Sequence, residues 1–491
     1  MSKKERKKKL TLVCKQAIRF IKKLIEILLN VLSWPFKMIY RFFKWVGKVS
    51  RKTSKKVWGI LDFRGFEKRK KVYFFVNIVA GMGIIFFMHL VEFTQFGENA
   101  LNNAFDVFIR IDADKAAKTT KTTLDTGPIS LVDLDHDNPA NPNKEKFSYL
   151  SPRLPIAGVI EMACGGGAGI VVVDILLEVK DCNFPGQDEA LRKVLESIPA
   201  DKNFKTKIIF AARGGTGKNL IPNLFDELID KNPNFYRASP TVYTSRTDRV
   251  VRYWQVYEKY GKNKMNWSIP VLTLALYRES IEELKRVEKE LLQEKNKNGF
   301  LEIDPGSRGD GKFIIPLSGD DLYRQRIRYS LIPKDCLTHK PAGNLILPSM
   351  ISLSPKRFEN KIVIIGSSDP AKGDRHPTPI GSMPGMYIQA NTIYTLLAGQ
   401  QSNPAPGWLT IIIDILLIIM AAYFFHYLNS FVAKSLGGVF IAGVLGFLSY
   451  FIFFRYYGVF LNLAFGVMMI GYLETMVTLR EIFIEKRFKN R

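Results

Sequence analysis

The chain has 491 residues and a formal net charge of +25, and 23 Lys/Arg against 4 Asp/Glu up to Lys71 place +19 of that excess in the first seventh. The remainder is close to neutral, which argues against a nucleic-acid-binding core and for a basic segment facing anionic lipid, because cations beside a membrane gain energy only near its negative surface. Four cysteines, with no C-x-x-C or His/Cys spacing, give no sign of a metal site, and no cofactor is expected.

Residues 1–71 form a basic amphipathic segment, expected to be cytoplasmic. From Ile21, apolar residues recur at Leu24, Ile25, Leu28, Leu29 and Leu32, one helix face, while Lys15, Arg19, Lys22, Lys23 and Glu26 fall elsewhere. After Pro35 comes "FKMIYRFFKWVGK". Two readings fit: a helix pair lying on the inner leaflet, or a basic tail that only fixes topology.

Residues 72–92 read as a first transmembrane helix, since Val72 to Leu90 has no Lys, Arg, Asp or Glu, and about twenty apolar residues cross a bilayer. Three more runs, from Trp408 to Tyr427, near Ser435 to Phe454 and near Tyr457 to Val477, predict three further spans within 406–478. The cation bias puts both basic ends, including the tail 479–491, in the cytoplasm and residues 93–405 outside. The implied localisation is a bacterial inner membrane, crossed several times, with the lipid bilayer as a partner.

Within 93–405 the pattern alternates. "PISLVDLD" predicts a strand, "RLPIAGVIEMAC" a helix, "AGIVVVDILL" a strand, "DEALRKVLESI" a helix and "KTKIIFAA" a strand. A long helix is predicted from about Val271 to Gln293, then the strand "NKIVIIG" and a helix in "MYIQANTIYTLLAG". Alternating strands and helices predict an α/β fold with a mainly parallel sheet covered on both faces. The stretch "FAARGGTGKN", residues 210–219, invites comparison with a phosphate loop. Ala212 stands where the first glycine would be and Asn219 where the magnesium-holding hydroxyl would be, so both ends of that motif fail.

Residues 360–400, "NKIVIIGSSDPAKGDRHPTPIGSMPGMYIQANTIYTLLAGQ", resemble the signature end of CHASE2 domains, extracytoplasmic sensor modules of bacterial receptors. The resemblance rests on the strand into Gly366, on Asp374, on Thr378 with Pro379, on Pro384 with Gly385, and on Ala390 with Asn391. Further similarity covers "ISLVDLDHD", "GIVVVDILL", the "DEAL" at Asp188, and "SRTDRVVRYWQV" at Asp248, Val251 and Arg252. It implies a sensor of an outside signal with one membrane helix before the domain and three after. Such receptors usually continue into a kinase or cyclase, whereas this tail has no room for one, and the charged insert "RESIEELKRVEKELLQEKNKNG" is longer than the pattern leads one to expect.

Ligands of parallel sheets bind beyond the carboxyl ends of strands. Asp135 and Asp174 are expected to end two strands, and Asp374 follows a third. Converging on one rim, they would hold a hard cation or a small polar ligand, or else cap helices and pair with Arg153 or Arg375. Glu178 and His376 are weaker members, and a triad of His376, Asp374 and Ser367 or Ser368 lacks a placed nucleophile, so no enzyme is expected. In the membrane runs, Asp414 is expected to pair with Arg455, or else to line an ion path or face another helix in its protonated form, and Gly438, Ala442 and Gly446 would let helices approach closely. Cys164 and Cys182 are a candidate disulfide. The leading expectation is a membrane sensor subunit, oligomeric, that passes an outside signal to a separate cytoplasmic effector. Its alternative is a structural anchor or scaffold in a multi-protein membrane complex.

Overall fold

A computed structural model describes residues 94–119, 128–134, 153–180, 185–214, 219–245, 247–260, 264–293, 300–303, 313–316, 324–329, 340–341, 358–368, 374–399, 403–404, 407–427, 449–450 and 459–460, with isolated positions at 82, 83, 86 and 90. The chain divides into two compact units, Met1–Val76 and Asn77–Arg491, and the first lies outside the described residues.

The centre of the second unit is a six-stranded, all-parallel sheet ordered β12-β1-β13-β2-β3-β4. Its strands are β1 (Ile129–Asp133), β2 (Ile170–Val173), β3 (Lys207–Ala211), β4 (Phe235–Ala238), β12 (Lys340–Pro341) and β13 (Ile362–Gly366). The central strands β2 and β13 carry no polar side chain, because alternate residues enter different cores. Leu131, Val172, Ile209 and Ile364 face one core, while Val132, Val171, Phe210 and Ile365 face the other.

The second core is closed by α2 (Arg153–Gly165), α3 (Pro185–Ser197) and α4 (Asp226–Lys231). In α2, Ile156, Val159, Ile160 and Ala163 repeat at helical spacing and are buried, and its first N–H groups are satisfied at long range. Gln187 Oε1 accepts from Arg153 N at 3.0 Å and from Leu154 N at 3.2 Å. The first core is closed by α1 (Gln95–Thr119), α5 (Ile269–Tyr277) and α7 (Gly385–Leu397), the last two packed on each other. The long helix expected from Val271 to Gln293 is two helices, α5 and α6 (Ile281–Leu292), because Glu279 takes a φ of 60° and ends the first turn pattern.

Smaller antiparallel pieces flank the sheet: β5 (Val242–Thr244), β6 (Val251–Gln255) and β11 (Arg324–Arg326) form one, β7 (Tyr257–Tyr260) with β8 (Lys264–Trp267) a second, and β14 (Arg375–Thr378) with β15 (Gly381–Pro384) a third. Helix α1 is clamped to the β6 ladder by ions. The Arg252 guanidinium, buried against the helix, donates to both oxygens of Asp106 at 2.8 Å and to both of Asp248 at 2.9 and 2.6 Å. Arg328 Nε donates to Asp112 at 2.9 Å, and the Arg326 guanidinium stacks over Phe105 and Tyr253 at 4.3 and 4.7 Å.

The four transmembrane helices expected from the sequence are corrected: among the described residues no helix is long and apolar enough to cross a membrane. The apolar run from Trp408 corresponds to α8 (Gly407–Tyr427), which carries a buried carboxyl at Asp414. The last run contains extended backbone, where β17 (Val459–Phe460) pairs with β16 (Asn403–Pro404). Hydropathy scores how apolar a run is, not whether one unbroken helix of sufficient length carries it. Most of the first and third runs lies outside the described residues, as do Arg455, Gly438, Ala442 and Gly446.

The clamp on α1 sets a first expectation. Arg252→Ala, which leaves Asp106 buried without its guanidinium, is expected to destabilise the fold by about 3–5 kcal/mol. Arg213→Ala, at a largely exposed pair with Glu178, is expected to cost under about 1 kcal/mol. Chemical denaturation of the two variants measures the difference.

Candidate functional site

Strand β13 enters the sheet late in the sequence and lies between β1 and β2. The chain leaves β1 and β2 for helices on one face, α2 and α3, but leaves β13 for α7 on the other. Neighbouring connections that part to opposite faces open a crevice at the carboxyl ends of the strands, the place where parallel sheets hold ligands. Two glycines make the crossing possible. A Cβ on Gly366, at the end of β13, would lie 2.5 Å from Met386 Cβ of α7, and one on Gly385 would lie 2.6 Å from Asp374 Oδ1.

The crevice gathers carboxylates from three distant parts of the chain. Asp133 ends β1, fully buried, and accepts from Ser368 N at 3.1 Å and from the Ser368 hydroxyl. Asp174 follows β2, and its backbone N–H donates to Ile365 O of β13 at 2.9 Å. Asp374 precedes β14 and sits at the first residue of α7, where the helix N-terminus favours negative charge. His376 Nε2 lies 3.1 Å from Asp374 Oδ1.

Asp174 has the unusual chemistry. Burial first, and the Asp374 carboxylate second, push its carboxyl up to about 8. Loss of water disfavours its charge and a like charge nearby adds to the effect. Near neutral pH this rim therefore offers one proton-bearing carboxyl beside one charged carboxylate. Such a pair donates and accepts hydrogen bonds together, which suits hydroxyl, amide or amine groups.

Of the residues expected at the site, Asp374 lies near enough to Asp174 to act on its carboxyl, and His376 lies against Asp374. Asp135 lies outside the described residues; the acid that ends β1 is Asp133, two positions earlier, and it serves Ser368. Arg375 is exposed in the β14–β15 hairpin, where Nη2 donates to Ser382 O at 3.1 Å. Arg153 is buried beside Asp188, 3.3 Å away, and its Nη2 donates to Val179 O at 3.0 Å. Glu178 takes Arg213 on both oxygens, at 2.9 and 2.8 Å. Cys164 is a free thiol pushed up to about 12 by burial, and Cys182 is outside the described residues. Among the described residues no group of three or more His, Cys, Asp or Glu could hold a metal ion.

The glycine loop after β3 is used internally. Gly214 N donates to Glu258 Oε2 at 3.1 Å, and the same oxygen accepts from Ser239 Oγ at 2.9 Å. A carboxylate of this chain thus takes the backbone donor that a phosphate would need. Arg213 and Asp133 are not among the residues the sequence points to, whereas Ser368, a member of the triad weighed there, hydrogen-bonds Asp133.

Residues 79–424 match the family model of the CHASE2 domain. No curated protein and no solved structure matches the chain. The chain belongs to the CHASE2 family, whose domain is a sensory module of the extracytoplasmic type.

The raised Asp174 carboxyl makes stability depend on pH. The folded chain keeps that proton to about pH 8, whereas an unfolded aspartate loses it near about pH 4. Between those values the folded state binds more protons, so this group's contribution falls as pH rises and levels off above about pH 8. In thermal denaturation across that range, Asp174→Asn is expected to gain on the wild type as pH rises, by at least ~1 kcal/mol. A stability difference that does not change with pH would contradict this.

Proposed function

We propose that this CHASE2-family chain binds a small polar ligand at the Asp174–Asp374 rim and passes the resulting change to a separate signalling polypeptide. One observation carries the reading: a proton-bearing carboxyl and a second carboxylate meet at the point where the sheet's connections part to opposite faces. Structural aspartates normally find a permanent cationic partner, as Asp106, Asp188 and Asp226 do here with Arg252, Arg153 and Arg237. Asp174 instead keeps its proton, buried beside a second acid, an arrangement that a ligand with both donor and acceptor groups satisfies. A ligand can shift the protein only by its difference in affinity for two states, and hydrogen bonds to both acids made in one state alone supply such a difference.

The positive charge concentrated before Lys71 supports a location against anionic lipid, with the sensory domain on the extracytoplasmic side and the partner on the other. Asp133 has no part in recognition on this reading, because Ser368 occupies it.

Thermal-shift screening of the full chain against polyols, amino acids and amines is expected to find a compound that raises the midpoint by about 2–4 °C at saturating concentration. The shift disappears in the Asp174→Asn, Asp374→Asn double variant. If no compound acts, and both substitutions simply lower the midpoint at every pH, the two aspartates hold the fold and the sensor reading of this rim fails.

A further inference from the structure

The hairpin of β14 and β15 has the rim at one end and α1 at the other. At its base, Asp374 directly precedes β14 and abuts Gly385, which directly follows β15, and Gly385 N donates to Asp374 O at 3.0 Å. His376, one step into β14, lies against Asp374. Four register pairs, from Arg375↔Pro384 to Thr378↔Gly381, run from there to the turn. At the turn, Thr378 Oγ1 donates to Gly381 O at 2.6 Å, and Gly381 has a φ of 116°, a conformation that favours glycine. The turn presents the Pro379 carbonyl to α1, where Arg110 Nε donates to it at 2.8 Å.

A paired ladder of this length spans about 10–13 Å and moves as a unit, because its backbone bonds resist bending. The Arg110 bond joins its tip to α1. The same hairpin packs on β6, whose Arg252 holds Asp106 one turn before Arg110 on α1. Helix α1 is therefore held by fixed ion pairs at Asp106 and Asp112 and, between them, by an element that begins at the rim.

We infer that the β14–β15 hairpin is a strut through which a change at Asp374 resets α1, with the Arg110–Pro379 hydrogen bond as its joint. The inference rests on the rim being the input, as proposed above, but its test uses no ligand, so an unsuccessful ligand screen and a failed strut remain separate results. Coupling of this kind requires an element that both ends bias, and the hairpin is that element.

Hydrogen exchange of the full chain, read at the α1 amides from Asn102 to Ala113, provides the test. Asp374→Asn is expected to change exchange there by at least about threefold relative to wild type. In an Arg110→Ala background the same substitution is expected to leave α1 exchange unchanged, since the joint is gone. His376→Gln, at a half-exposed position, gives a second and milder input and is expected to follow the same pattern. Exchange in α1 that ignores both rim substitutions overturns the strut, and so does a response of equal size with Arg110 replaced.

Discussion

The position of β13 between β1 and β2 is the constraint from which the rest of this structure follows. All five of its residues pair in parallel register with β1, from Ile129↔Ile362, and four of them pair with β2, from Ile170↔Ile362. Both faces of the sheet are then apolar, and side chains of neighbouring strands separate by parity into two cores. Polar chemistry has nowhere to go but the strand ends. Because α7 must leave β13 on the face opposite to α2 and α3, the loops at those ends diverge, and three acids more than thirty residues apart in sequence come to share one edge. A late strand inserted in the middle of a sheet is thus both what completes the fold and what creates the crevice.

The acids at that edge are not equivalent, and packing explains the difference. Asp133 is sealed and satisfied by Ser368, which ties the end of β1 to the loop after β13. Asp174 and Asp374 are left to oppose each other. Elsewhere the chain treats its buried charge conventionally. Arg252 accepts two carboxylates in fork geometry, and Asp248 is held below the usual carboxylate range mainly by hydrogen bonding to that guanidinium. A fold that pairs its buried ions with this care at α1 sets two acids, one of them proton-bearing, beside each other at the rim, and that contrast is the physical basis for proposing a binding role for the rim.

Much of the sheet was legible in the sequence. "AGIVVVDILL" and "NKIVIIG" read as buried parallel strands because nothing but cover on both faces suits them, and "RLPIAGVIEMAC" read as a helix because its apolar spacing is unambiguous. Long-range partnerships were not legible. The Arg252–Asp106 pair joins residues 146 positions apart, and neither the Gln187 cap on α2 nor the Glu258 carboxylate under Gly214 has a local signal. The short hairpins were missed because four-residue strands such as "RHPT" and "GSMP" look like loop. The apolar C-terminal runs were read as spans because hydropathy records avoidance of water and not what replaces it. The residues that carry the family resemblance are mostly structural: Gly366 and Gly385 allow close approach, Arg252 and Asp248 join in the clamp, Thr378 sets the hairpin turn, and Asn391 bonds Tyr387 O within α7.

The central claim is that Asp174 and Asp374 act as an electrostatic pair at the crevice. Carbon-13 NMR of labelled aspartate carboxyls, followed through a pH titration in wild type and in Asp374→Asn, tests it most directly. The account predicts that the Asp174 carboxyl titrates near pH 8 in the wild type and at lower pH once Asp374 is neutral. An Asp174 that titrates near an ordinary aspartate value, about 4, and does not respond to its neighbour would contradict it.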